Sequence, residues 1–154
     1  MPGQKLLCAV MVLLGVALVV PALSSGAAGK SLTATLKGKS EVPGPGDKNG
    51  KGEIAVTTKP KKGKVCFLLE FSQIENPVAG HIHKGSADVA GPVKITLFED
   101  LAGIPGPTAE GCVRDLRKKL VRNIGKKPEK YYVNLHNGEF PDGAIRGQLE
   151  PAKP

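Results

Sequence analysis

The chain has 154 residues, a formal net charge of +8, 4% aromatic residues with no tryptophan, and three cysteines. That length suits one domain, and so few aromatic side chains argue against a stacking groove for single-stranded nucleic acid. The cations fall in short clusters, Lys59 with Lys61, Lys62 and Lys64, Lys118 with Lys119, and Lys126 with Lys127 and Lys130; the plain reading is solvated loops and a polar helix face, and the second is a surface that docks on anionic polymers.

Residues 1–28 read as a secretory signal peptide. Lys5 supplies the positive start, Leu6 to Val20 is an uncharged apolar run, Pro21 breaks it, and the small residues from Ala22 to Ala28 offer cleavage sites. The run is shorter than the roughly 20 residues of a spanning helix, so no stable membrane span is expected after cleavage. What remains, residues 29–154, is expected to form one domain with a charge of +7 once Lys5 is gone, placed outside the cytoplasm and away from nucleic acid. Cys8 leaves with the leader. Cys66 and Cys112 stay, and an even count in an exported chain points to a disulfide.

From there the pattern has period two, the signature of strands. In Ser31 to Lys37, Leu32, Ala34 and Leu36 alternate with polar residues; in Glu53 to Thr58, Ile54 and Val56 share a face; in Lys64 to Phe71, Val65, Phe67, Leu69 and Phe71 do. Further strands are expected at His81 to His83, Val93 to Phe98, Lys130 to His136 and Ala144 to Leu149. Turn residues separate them: Pro43 to Asp47, Asn49-Gly50, Lys59 to Gly63, and Pro141-Asp142-Gly143, with loops over Gly85 to Pro92 and Ala102 to Gly111. One segment departs from the rule. Val113, Leu116, Leu120, Val121 and Ile124 follow helical spacing, with Gly125 as a stop, and predict a short amphipathic helix over 113–124. Together these elements predict an all-β fold, a Greek-key-like β-sandwich or flattened barrel with one helix lying over its end.

The three histidines fall in two of the strands. Residues two apart on a strand face the same way, so His81 and His83 point together, opposite Ile82. Tyr132, Asn134 and His136 likewise oppose Val133 and Leu135. If the apolar residues mark the core, all three imidazoles lie on the outer face, and they converge if the two strands are neighbours. Three convergent neutral imidazoles suit one Cu, Zn or Ni ion, with Gly85 to Pro92 as the covering loop; the plainer alternative has them bracing loops through backbone hydrogen bonds. Catalytic patterns such as G-x-S-x-G, H-E-x-x-H and the P-loop are missing from the sequence. Glu139 and Asp142 read as caps of a turn, and Arg146 as the partner of one of them.

Two segments resemble a known family. Gly80-His81-Ile82-His83-Lys84-Gly85 with Gly91-Pro92-Val93 and Leu97-Phe98 resembles the central motif of the CHRD domain, named for the repeats of chordin. Tyr132-Val133-Asn134-Leu135-His136 with Phe140-Pro141-Asp142-Gly143-Ala144-Ile145-Arg146-Gly147-Gln148-Leu149 resembles its C-terminal signature. The resemblance covers 31–149 and implies a β-sandwich used outside the cytoplasm. Cys66 and Cys112 also fit the cysteine places of secreted microbial members. In chordin such domains accompany modules that bind growth factors; that activity is not carried over to a domain without those modules. The implied role is a non-enzymatic extracellular binding or structural module, its partner an extracellular protein or envelope polymer. A looser likeness to Cu/Zn superoxide dismutase, also a sandwich with an H-x-H strand, lacks the histidines for a dinuclear centre and carries no activity by itself.

Overall fold

The computed structural model describes residues 29–100 and 102–153. The expected signal peptide, 1–28, lies outside the described residues. The strands are β1 (Lys30–Lys37), β2 (Lys51–Lys59), β3 (Lys64–Ser72), β4 (Ala79–Lys84), β5 (Val93–Glu99), β6 (Thr108–Val113), β7 (Tyr131–His136), β8 (Ile145–Gln148) and β9 (Glu150–Pro151), with one helix, α1 (Lys118–Lys126), between β6 and β7.

All pairings are antiparallel and belong to one sheet in the order β5-β4-β7-β8-β1-β2-β3-β6, with β9 added beside β1. The two edge strands, β5 and β6, approach each other, and Phe67 from β3 meets Phe98 from β5 with ring centroids 6.2 Å apart. The sheet therefore curls into a nearly closed barrel, the flattened-barrel form of the expected all-β fold.

The period-two reading placed the core. Leu32, Ala34 and Leu36 of β1, Ile54 and Val56 of β2, and Val65, Phe67, Leu69 and Phe71 of β3 are all buried. Ile82, Ile95, Leu97, Val133, Leu135 and Ile145 complete it from the other strands. Each of the Val, Leu, Ile and Phe side chains among them contributes about 1.5–3 kcal/mol through the apolar area it removes from water.

Two expectations shift. Thr108 to Gly111, read as loop, is part of β6, and Val113, read as the first helical residue, ends that strand opposite Val65. Its own apolar signal is weak, since only Ala109 of β6 is buried in the core. The strand is fixed from outside its sequence: Cys66 and Cys112 stand directly opposite each other with Cα atoms 4.0 Å apart and are disulfide-bonded across 46 residues. The helix then starts later than predicted. Asp115 takes a left-handed φ of 57°, a conformation a helix cannot continue through, and Leu116 N–H donates to Gly63 O at 2.9 Å instead. From Lys118 the helical spacing holds, with Val121 and Ile124 fully buried against the barrel end. Among the described residues no helix is long and apolar enough to cross a membrane.

Candidate metal centre

β4 and β7 are neighbours, with His81 opposite Asn134, Ile82 opposite Val133 and His83 opposite Tyr132. Ile82, Val133 and Leu135 are fully buried in the core. Alternation thus sends His81, His83, Tyr132, Asn134 and His136 to the outer face. β8 extends the same row, placing Arg146 opposite Asn134 and Gln148 opposite Tyr132. The face is polar yet largely closed to water: Arg146 and Tyr132 are 2% exposed, Asn134 4% and His83 8%.

The three rings converge as the alternation allowed. Ring centroids are 5.0 Å apart for His81 and His136, 5.6 Å for His81 and His83, and 6.3 Å for His83 and His136. One nitrogen from each ring lies within 4.8 Å of the others, and His81 Nδ1 is 3.1 Å from His136 Nε2. Two nitrogens bound to one tetrahedral Zn or Cu ion at 2.0–2.1 Å lie about 3.3–3.4 Å apart, so this pair is near the separation an ion requires.

The other nitrogens are spoken for. His83 Nδ1 donates to Gly91 O at 2.8 Å and His136 Nδ1 donates to Pro141 O at 2.8 Å. A carbonyl oxygen only accepts, so both rings carry their proton on Nδ1 and present a lone pair on Nε2. His81 Nε2 faces the exposed Glu99 Oε1 at 3.6 Å, beyond hydrogen-bond length, and His81 Nδ1 donates to the lone pair of His136 Nε2 at 3.1 Å; an ion between the rings would take the place of that proton. His83 Nε2 is buried without a partner among the described residues. The lone pairs of His83 Nε2 and His136 Nε2 and the Nδ1 of His81 thereby face one small space. Burial also lowers the pKa of His83 and of His136 from the ordinary 6.5, with carbonyl hydrogen bonds pulling the other way, so the neutral form that ligates metal is favoured.

The loop after β4 is tied down on this face. Arg146 Nη2 donates to Ser86 O at 2.8 Å and to Val89 O at 2.9 Å, and Gln148 Nε2 donates to Gly85 O at 3.1 Å. The Tyr132 hydroxyl accepts from Gly91 N at 3.0 Å and reaches Gly91 O at 3.3 Å. His83 stacks on Tyr132 with centroids 4.7 Å apart and planes 11° from parallel, and the Arg146 guanidinium carbon lies 3.4 Å from the same ring's centroid. Arg146 therefore does not pair with Glu139 or Asp142 as expected; it holds the covering loop by its carbonyls. Nor do those two acids cap the turn, where Asn137 Oδ1 accepts from Phe140 N at 2.8 Å.

Sequence reasoning missed Glu41. Its Oε2 accepts from Asn134 Nδ2 at 3.3 Å, and burial pushes its pKa up to about 7 against the opposing charge of Arg146. Ninety-three residues separate Glu41 from Asn134, and no local pattern announces the contact. The Gly91 carbonyl had one sequence signal, the Gly91-Pro92 dipeptide after the H-x-H segment. The Pro141 carbonyl belongs to the turn that the sequence did mark.

The family described as CHRD domain has a model that matches residues 32–149 of this chain. No curated protein and no solved structure matches it.

Proposed function

The chain belongs to the CHRD domain family, and we propose that it acts outside the cytoplasm as a non-enzymatic binding module whose ligand is one transition-metal ion, copper or zinc, held by His81, His83 and His136. The observation that carries this reading is the convergence of three imidazole nitrogens, two of them (His83 and His136 Nε2) with lone pairs fixed inward by far-side hydrogen bonds, and His83 Nε2 buried without a partner among the described residues. Metal-ligating histidines are usually held this way, the second ring nitrogen donating to a carbonyl or carboxylate. Three protein ligands leave a fourth position for water or a small ligand. Placement outside the cytoplasm is supported by the Cys66–Cys112 disulfide, which persists in oxidising compartments, and by the apolar leader-like segment of the sequence.

Titration of tag-free protein with Cu(II) and with Zn(II) in a calorimeter tests the site. One ion should bind per chain at micromolar or tighter affinity. His81→Ala and His136→Ala should each abolish that binding while leaving the thermal unfolding of the metal-free protein within a few degrees of the parent. Absence of binding heat at micromolar concentrations, or alanine variants that bind as tightly as the parent, would sink the proposal.

A further inference from the structure

A strongly basic surface lies at the barrel end covered by α1. Lys59 is exposed at the end of β2, and Lys61 and Lys62 are exposed on the turn that joins it to β3. Arg114 and Arg117 are exposed, with the exposed Asp115 as the one acid between them, in the segment that leads into the helix, which the Leu116–Gly63 backbone bond anchors to that turn. On the helix, Lys118, Arg122 and Lys126 are exposed at four-residue spacing while Val121 and Ile124 face inward. Turn and helix are in contact, so these cations form one continuous face. Among the described residues none of them makes an ion pair with a carboxylate.

This arrangement is unfavourable within the chain. Like charges four apart on a helix destabilise it. The first turn holds no acidic residue and Arg117, at the N-cap, makes no side-chain capping bond, so Arg117, Lys118 and Lys119 crowd the end where the backbone dipole is already positive. The helix persists because its two apolar residues are buried, not because its surface suits it. A local rule broken this consistently is a mark of a site that meets something outside the molecule.

The shape and chemistry of the face select among polyanions. A nine-residue helix is about 14 Å long, and the adjoining turn lengthens the row, which fits repeating charge better than a single anion. Among the described residues the exposed large apolar side chains are Leu68, Val89 and Val93; none of these lies on this face, so they offer it nothing to insert into a bilayer. No aromatic side chain is present there to stack on a base. We infer that this face docks an acidic polysaccharide, a chain bearing sulfate or carboxylate groups at regular spacing. The inference is independent of the histidine cluster, with which it shares no residue.

Dextran sulfate is a suitable probe, with binding followed by calorimetry over a sodium chloride series. One variant carries Lys61→Gln, Lys118→Gln, Arg122→Gln and Lys126→Gln. A second removes the same charge at the opposite end of β1 and β2 through Lys37→Gln, Lys39→Gln, Lys48→Gln and Lys51→Gln. Parent binding should weaken steeply as salt rises, the first variant should bind about tenfold more weakly or worse, and the second should stay within about twofold of the parent. Equal losses in both variants would show attraction to net charge alone and overturn the inference. So would binding that ignores salt, or tight binding to phosphatidylglycerol vesicles with none to the polysaccharide.

Discussion

His83 and His136 carry the same bond on the same atom: Nδ1 donates to a backbone carbonyl, and Nε2 is left facing His81 and the space between the rings. The chemistry of the site is set by those two carbonyls as much as by the imidazoles, because they decide which nitrogen keeps its lone pair. Glu41 also titrates beside this face, and its shift is opposite in sign to those of His83 and His136. Its folded pKa of about 7 lies above the ordinary 4.5, so the folded state holds the proton more tightly than the unfolded chain. The stability this gives is complete below pH 4.5 and is lost as pH rises through 7. Replacing Glu41 by glutamine removes the titration while keeping an oxygen for the Asn134 amide. Thermal unfolding of metal-free parent and Glu41→Gln should therefore diverge with pH. Relative to its position at pH 5, the variant should gain on the order of 2 kcal/mol by pH 8. Parallel stability curves for the two proteins over that range would show that Glu41 does not hold a proton in the fold.

At the scale of elements, the site is two strands and one loop, and Arg146 of β8 is the residue that joins them. It bonds Ser86 O and Val89 O of the loop, while Tyr132, which contacts its guanidinium, bonds Gly91, whose carbonyl orients His83. Arg146→Met keeps much of the apolar bulk but removes both donors, so the loop loses its tether and His83 its fixed tautomer. Zinc affinity should fall by about 10–100-fold, the range seen when outer-shell partners of metal ligands are removed, with one ion still bound per chain at saturation. Unchanged affinity would show that the loop needs no such tether. How much of this was legible follows from what kind of contact each part is. Alternation placed Ile82, Val133 and Leu135 inward and the three imidazoles outward, because that direction is a property of extended chain alone. The pairing of β4 with β7, the role of Arg146 and the presence of Glu41 are contacts between distant segments, and no local pattern encodes them. The strand β6 was hidden for the same reason: Thr108, Glu110, Gly111 and Cys112 make a poor apolar stripe, and partners on β3 define it.

Over the whole molecule, closure of the barrel depends on an edge strand that has little of its own to hold it. β6 buries Ala109 but otherwise sits on the rim, and Gly111 leaves room for the Phe67 ring, since a Cβ there would come within 3.1 Å of Phe67 Cε1. The Cys66–Cys112 bond joins this strand to β3, a strand rich in core residues. A cross-link closing 46 residues restricts the unfolded chain by roughly 4 kcal/mol in the entropic account. In a domain of this size that corresponds to a loss of about 10 °C or more in the unfolding midpoint when the bond is removed. The loss should also be uneven. In a Cys66→Ser, Cys112→Ser variant, amide exchange should accelerate first at residues 108–113, while the amides of β1, β2 and the histidine-bearing β4 and β7 keep their protection. Exposing the outer edge of β3 in this way leaves unpaired backbone groups beside Leu68, already 46% exposed, and such an edge invites pairing with a second chain. The variant should consequently self-associate with rising concentration in sedimentation at temperatures well below its midpoint. A variant that stays monomeric and exchanges its amides uniformly faster would mean that β6 is held by its hydrogen bonds to β3 alone, and that the disulfide acts only on the unfolded chain.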